Sequence, residues 1–473
     1  MGLTTPVKFP RINQTLDGNS AKFNQMEEKY IKRQLEPLLK KSLEKKEVLA
    51  LVGARQVGKT TLFRRLEKYL LKEKEVDKKF IFWFSFDDLS LRNSIKKDFY
   101  HLQTFIETRL ALSLDNLQKR IFIFLDEAQH SPEVFDFVKV AYDRYGEKTK
   151  FLISGSASLD IRAKSAESLA GRVSYFNLLP LSLEERLRVC FPSENDSSFF
   201  KNLTQGVFEE KDAKTRQGRL FEEERKLARI LEETLLFGGM PAVWGKESEE
   251  RFSYLKNLVT TYIDRDIKGL KEVGSVESFH FLLQVLAGEL GGILNLNNLS
   301  QSASLSVNTL KKYKNIFKQT FVLNELPAKV ALRKRLVKSP KIYFEDLGVA
   351  NMLGGRDTPK ALELAQVRGH LLENLIIKSF WSAAVNWQVP PNLFFWRDYE
   401  GHEIDLVIEK GEATVPVEIT LEKNLSKRKR LNFSHFFKNF PQAKFGVLVY
   451  GGLLDKREVE GREIHLLPWW LWW

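Results

Sequence analysis

Gly53-Ala54-Arg55-Gln56-Val57-Gly58-Lys59-Thr60 satisfies every specified position of the pattern G-x-x-x-x-G-K-[ST]. The apolar run Val48 to Val52 before it predicts a buried strand, and Thr61-Leu62-Phe63 after it opens an amphipathic helix. Strand, loop and helix thus stand in the order a phosphate cradle requires. Gly53 and Gly58 let the backbone bend so that successive N–H groups face phosphate oxygens, and the helix N-terminus adds its partial positive charge. Lys59 is expected to reach the β- and γ-phosphates, Thr60 to bring its hydroxyl to a magnesium ion, and Thr61 to support the first helical turn. Gly53, Arg55, Gln56, Val57, Gly58, Lys59, Thr60 and Thr61 are therefore the expected nucleotide-binding residues.

Working outward, Phe80 to Phe86 is too continuously apolar for a half-exposed strand and predicts a central parallel one. Asp87 and Asp88 at its carboxyl end lie where ligands collect in open α/β sheets, or form a solvated turn. A helix is expected over Ser94 to Leu112. The strand Ile121 to Leu125 closes in Asp126-Glu127-Ala128-Gln129. A buried strand carrying Asp126 to the magnesium, with Glu127 polarising the attacking water, is what phosphoryl hydrolysis needs. An acidic helix start is the other reading of that pair, and His130 beyond it reads as a surface residue. Phe151-Leu152-Ile153 leads to Ser154-Gly155-Ser156, where Ser154 or Ser156 is expected to sense the γ-phosphate, or simply to turn the chain. Arg172, after Gly171, is a candidate for stabilising charge on the γ-phosphate in cis or toward a neighbouring subunit, or a surface ion-pair residue; Arg55 is a weaker candidate.

The 473 residues allow roughly three domains. With 43% hydrophobic and 29% charged residues the composition is that of a soluble globular chain, and a net charge of +13 points mildly to an anionic partner. A single cysteine, Cys190, excludes an intramolecular disulfide and reads as a small buried hydrophobe. Met1 to Asn24 has no secretion-signal pattern, and no stretch approaches a membrane span of roughly 18 apolar residues. The expected location is the cytoplasm.

Leu181 to Lys271 reads as charged helices. Leu294 to Ser302 and Ser306 to Phe321 predict two helices around a turn, with Val322-Leu323 and Ile342-Tyr343-Phe344 as wing strands. The second helix is expected to bury Leu310, Tyr313, Phe317 and Phe321 and to expose Lys311, Lys312, Lys314 and Lys318, which suits a DNA major groove. Arg333, Lys334, Arg335 and Lys338 would supply phosphate contacts from the wing. Protein packing with solvated lysines is the alternative. Further on, Asp405 and Glu418 on neighbouring strands, with Glu373 on an earlier helix, match the carboxylates of a restriction-endonuclease-type metal site. Thr420 stands where that site needs lysine, and Lys423 points to the other face. The cluster Ser426 to Arg430 could follow a nucleic-acid backbone or open a solvated helix. Trp469-Trp470-Leu471-Trp472-Trp473 suggests a packing or interface strand.

With these residues in view, the chain resembles a prokaryotic AAA-type P-loop ATPase family with a C-terminal domain of unknown function. The resemblance runs from about Tyr30 to Glu418 and rests on the phosphate loop, Phe124 to Gln129, Ser154-Gly155-Ser156, Leu169 to Arg172, Tyr262 to Asp266 and Gly401 to Asp405. It implies ATP and Mg2+ as cofactors, a winged helix, and a nuclease-like terminal fold that is often degenerate. The expected fold is α/β: a P-loop NTPase parallel sheet with a helical region, then a winged helix and a small α/β restriction-endonuclease-like domain. Expected boundaries are a lead-in over 1–29, the ATPase domain over 30–180, a helical lid or linker over 181–278, the winged helix over 279–355, and the nuclease-like domain over 356–473. Expected partners are ATP, double-stranded DNA through the winged helix, and a protein partner or a second copy. The leading expectation is an ATPase whose nucleotide state controls its C-terminal domains. The alternatives are a nucleotide-gated switch with negligible turnover, or an ATP-coupled metal-dependent nuclease.

Overall fold

The structure is a computed structural model that describes residues 30–98, 100–155, 168–191, 198–267, 273–330 and 339–472. Its first sheet is built from β1 (Val48–Val52), β2 (Ile81–Ser85), β3 (Ile121–Asp126), β4 (Thr149–Gly155) and β5 (Val173–Asn177), all parallel, in the order β2-β3-β4-β1-β5. Strand side chains alternate, so each strand feeds two cores. Leu49, Leu51, Phe122 and Phe124 pack with Leu62, Phe63 and Leu66 of the helix Lys59–Lys72. Val48, Val52, Ile121, Ile123 and Leu125 pack with helices His101–Leu110 and Glu133–Tyr145 on the opposite face. That double burial is why β1 and β3 read as unbroken apolar runs rather than alternating ones. It also aims the carboxyl ends of β1, β3 and β4 at one edge.

One helix expected over 94–112 is instead two, Leu89–Lys97 and His101–Leu110. Asp88 caps the first, its Oδ1 accepting from Ser90 N at 2.8 Å, which settles that aspartate as a helix cap. Asp98 turns extended, with φ −150°, and its carboxylate accepts from Tyr100 N at 2.9 Å, so the helix stops and restarts.

The helices from Leu183 to Thr261 join a core shared with the C-terminal half. Helices Val276–Gly288, Leu296–Ala303 and Val307–Gln319 are followed by an antiparallel pair, β6 (Leu323–Leu326) and β7 (Lys341–Phe344). The third helix buries Leu310, Tyr313, Ile316 and Phe317; Phe321 lies past its end and is half-buried. The last sheet has the order β12-β13-β11-β10-β9-β8, from β8 (Asn392–Arg397), β9 (Glu403–Lys410), β10 (Ala413–Ile419), β11 (Phe445–Tyr450), β12 (Asp455–Val459) and β13 (Arg462–Pro468). Helices Arg368–Ala384 and Lys427–Asn439 cover it. Trp469–Leu471 form a short 3-10 turn rather than a strand. Trp472 is fully buried against Phe199, Phe200 and Phe380, and its indole N–H donates to Ile376 O at 2.9 Å. Among the described residues no helix is long and apolar enough to cross a membrane.

Candidate functional site

The phosphate loop leaves β1 at Val52 and turns where only glycine fits. A Cβ on Gly53 would stand 2.2 Å from Leu178 O, and Gly58 has φ +100° as it opens the helix Lys59–Lys72. Gln56 holds φ 59°, an uncommon conformation for a side-chain-bearing residue, and its amide oxygen accepts from Tyr254 OH. Val57 is buried, and its carbonyl accepts from Arg33 Nη1 at 3.0 Å. Lys59 Nζ donates to Gly53 O at 3.0 Å and Ala54 O at 2.9 Å, which keeps the ammonium inside the loop. Thr61 is half-buried in the first helical turn, and Arg55 is half-buried at the loop's shoulder.

The order β3-β4-β1 sets Asp126, Ser154 and the loop side by side. Thr60 Oγ1 donates to Asp126 Oδ2 at 2.9 Å, and Ser154 Oγ donates to Asp126 Oδ1. Asp126 is 6% exposed and Ser154 fully buried. A hydroxyl and a carboxylate held together in this way form the hard oxygen donor set that magnesium prefers. The buried Ser154 hydroxyl is committed to the Asp126 carboxylate. Ser156 lies outside the described residues. Glu127 adopts φ 53°, and its Oε2 accepts from Gln129 Nε2 at 2.5 Å. Residues held at such backbone angles cluster at functional sites. His130 sits 3.8 Å from Asp87 rather than in the loop.

Arg172 does not join the site. Its carbonyl accepts from Val48 N at 2.8 Å, at the amino end of β1, whereas the loop leaves the carboxyl end. Five residues of strand separate the two by roughly 16 Å. The guanidinium instead makes a two-pronged pair with Asp143, at 2.7 and 3.1 Å. The surface ion-pair reading is the correct one for its own subunit's site. What sequence reasoning missed is Arg33, whose buried guanidinium joins Val57 O, Leu179 O and Glu185 Oε1, the last at 3.0 Å. Glu185 and Ser182 form a reciprocal cap on the helix Leu183–Cys190. That cap is legible as Ser-x-x-Glu; the long-range arginine is not.

In the C-terminal sheet Asp405 and Glu418 do meet, but a lysine lies between them. Lys429 Nζ is 2.9 Å from Asp405 Oδ2 and 2.5 Å from Glu418 Oε2. Asn432 Nδ2 donates to Glu418 Oε1 at 2.7 Å, and Ile419 N donates to Asp405 Oδ2 at 2.8 Å. Burial, then the neighbouring Asp405, pushes the Glu418 carboxyl well up. Burial alone would raise Asp405 as well, yet the ammonium groups of Lys429 and Lys341 overcome it and hold Asp405 below the usual carboxylate range. Glu373 accepts from Lys341 Nζ at 2.8 Å and Tyr343 OH at 2.6 Å, so it is joined to Asp405 through the charge of Lys341. Thr420 Oγ1 accepts from Glu422 N at 3.2 Å, and Lys423 is exposed. Of the basic cluster, Ser426 caps the helix, as the helix-start reading expects, and Lys429 alone points inward while Lys427, Arg428 and Arg430 stay exposed.

The exposed charge of the helix Val307–Gln319 is smaller than expected. Lys314 and Lys318 both pair with Glu325 of β6, and Lys314 is 17% exposed. Lys311 and Lys312 stay exposed; Arg333, Lys334, Arg335 and Lys338 lie outside the described residues.

Residues 45–187 match the AAA domain family, residues 228–360 a domain of unknown function (DUF8612), and residues 368–472 a domain of unknown function (DUF4143). An uncharacterized protein of Mycobacterium tuberculosis is 26% identical over 376 residues, covering 78% of this chain and 69% of its own length. An uncharacterized protein of Methanocaldococcus jannaschii is 23% identical over 441 residues, covering 90% of this chain and 84% of its own. The solved ORC2 protein of Aeropyrum pernix, an ADPNP-ADP complex, is 14% identical and covers 74% of this chain and 95% of its own, with a TM-score of 0.33. At that overlap the likeness specifies nothing about domain arrangement. The phosphate loop, the β2-β3-β4-β1-β5 sheet and the AAA match over residues 45–187 together give this chain an AAA-type P-loop ATPase-like domain, followed by regions that match domains of unknown function.

Proposed function

We propose that the chain binds Mg-ATP in this loop and hydrolyses it. The observation that carries the reading is the contact of Thr60 and Ser154 with the two oxygens of Asp126, with only β4 between its strand and the one that leads to Lys59. Lys59 trades the carbonyls of Gly53 and Ala54 for phosphate oxygens, an exchange that needs only a rotation of its flexible stem. Thr60 and Asp126 would hold the metal, which would supply charge neutralisation to the phosphates when bound. Glu127, released from Gln129, orients the attacking water and takes up its proton. Replacing Glu127 with Gln leaves ATP bound and slows phosphate release by about 100-fold or more; an unchanged rate removes Glu127 from that role.

The nucleotide state reaches the rest of the chain through two contacts with the loop, Tyr254 on Gln56 and Arg33 on Val57. Tyr254 sits on the helix Ser248–Thr261, within the segment that leads to the three-helix and hairpin unit. We read that unit as a winged helix that contacts double-stranded DNA through Asn308, Lys311 and Lys312, which are all exposed. Binding that weakens as salt rises, and weakens uniformly across sequences in Lys311→Ala/Lys312→Ala, supports DNA contact; salt-independent binding counts against it. Asp405, Glu418 and Glu373 do not form a nuclease centre in this reading. Glu418 is fully buried and Lys429 takes the position between the carboxylates that a metal would need.

A further inference from the structure

Asp398, Glu400, His402 and His435 form a second cluster, outside the loop and outside the Asp405–Glu418 pair. The turn between β8 and β9 closes through Asp398 N to His402 O at 3.0 Å, and Gly401 holds φ +92° at its tip. Only a glycine takes that conformation without strain, and it brings the side chains of Asp398, Glu400 and His402 together. His402 N donates to Asp398 Oδ1 at 2.9 Å, which fixes the carboxylate and aims its other oxygen, Oδ2, at the cluster. From the facing helix Lys427–Asn439, His435 stacks on His402 with ring centroids 3.6 Å apart and planes 21° apart. Both Nδ1 atoms face the same oxygen.

The spacing of the donor atoms identifies the occupant. His402 Nδ1 and His435 Nδ1 lie 3.0 and 3.3 Å from Asp398 Oδ2, and each is 3.8 Å from Glu400 Oε2. All four donor atoms fall within 4.8 Å of one another. Four ligands on a tetrahedral ion with bonds of about 2.0–2.1 Å stand roughly 3.4 Å apart. A proton shared between one imidazole and Asp398 would satisfy two of these donors. A divalent ion satisfies all four once one imidazole turns out of the stack so that both ring-plane lone pairs converge on it, and two imidazoles with two carboxylates select zinc and its tetrahedral neighbours over magnesium or calcium.

We propose that Asp398, His402 and His435, with Glu400 as the fourth ligand, bind a zinc-class ion that clamps the helix Lys427–Asn439 to the turn between β8 and β9. The clamp bears on the helix that also delivers Lys429 and Asn432 to the carboxylate pair, so the ion steadies a second buried contact from the same helix. His402 at 21% and His435 at 28% side-chain exposure, with Glu400 at 71%, leave an entry path.

The test uses the full-length, tag-free protein stripped with chelator and titrated with cobalt(II) and with zinc, without nucleotide. The expected result is one equivalent bound, the visible bands of four-coordinate cobalt, displacement by zinc, and slowed amide exchange in the helix Lys427–Asn439. His402→Ala and His435→Ala should each weaken binding by more than the about 10–100-fold that loss of an outer-shell partner costs. Both positions are partly exposed, and unchanged far-ultraviolet spectra establish that the variants fold. No binding by the intact protein, octahedral cobalt spectra, or one equivalent that survives both substitutions each overturns the proposal. Survival would place the metal at Asp126 or at Asp405 and Glu418 instead.

Discussion

Lys429→Met removes the ammonium from between two buried carboxylates and keeps most of the stem's packing. Asp405 is 7% exposed and Glu418 fully buried, so neither recovers the lost partner from water. Breaking a buried ion pair by removing one side costs about 3–5 kcal/mol. The lower end applies here, because burial and the neighbouring Asp405 already push the Glu418 carboxyl up, which lets it take a proton in place of the lost ammonium. A loss of about 3 kcal/mol corresponds to roughly 100-fold faster local opening. A chain of several domains need not unfold in one step, so the assay is amide hydrogen exchange in β10 and the helix Lys427–Asn439 rather than a global melt. The sign with pH follows from Asp405. Its carboxyl is depressed in the native state by Lys429, so its stabilisation is present above the unfolded value of about 3.9 and lost as pH falls toward the folded one. The gap between wild type and Lys429→Met should therefore narrow below about pH 4. Exchange within about threefold of wild type at neutral pH would refute the assignment of Lys429 as the structural partner of both carboxylates.

Gly53→Ala places a methyl 2.2 Å from Leu178 O and 3.2 Å from Val57 Cγ1, so the loop must shift. A displacement of about 1 Å in a positioned site costs on the order of 100-fold, to be read as loss of ATP affinity by a fluorescent analogue. Lys150, buried at the amino end of the first sheet, donates to Lys45 O at 3.2 Å and to Glu47 O. Burial, with Arg120 adding to it, pushes the Lys150 ammonium down to about 7. Between that value and the unfolded one the unfolded chain holds the extra proton, so stability rises with pH by up to ~1.4 kcal/mol per unit. The melting temperature of wild type relative to Lys150→Met should climb from neutral toward pH 10, and a flat difference contradicts this.

The phosphate loop and Asp126-Glu127 are legible in the chain because each is a local pattern set in a continuous apolar strand. Two cores on two faces make those strands unmistakable. Ser154 is legible as a site residue but not in its role, since only the strand order shows that its hydroxyl meets Asp126. Arg172 was open to misreading because spacing along the chain does not say at which end of a sheet a residue lands. Lys429 was hidden for a different reason. A basic run at a helix start looks solvated, and the inward turn of one lysine depends on where that helix docks. His402 and His435 are 33 residues apart in sequence and meet only through the same docking.

The most direct test of the central claim is steady-state phosphate release from ATP by the full-length protein, compared with Glu127→Gln and Lys59→Ala under identical magnesium and salt. The account predicts turnover in wild type, ATP still bound but turnover lost in Glu127→Gln, and both binding and turnover lost in Lys59→Ala. Wild-type phosphate release no faster than that of Lys59→Ala, with or without double-stranded DNA, would contradict it and leave a nucleotide-gated switch in its place.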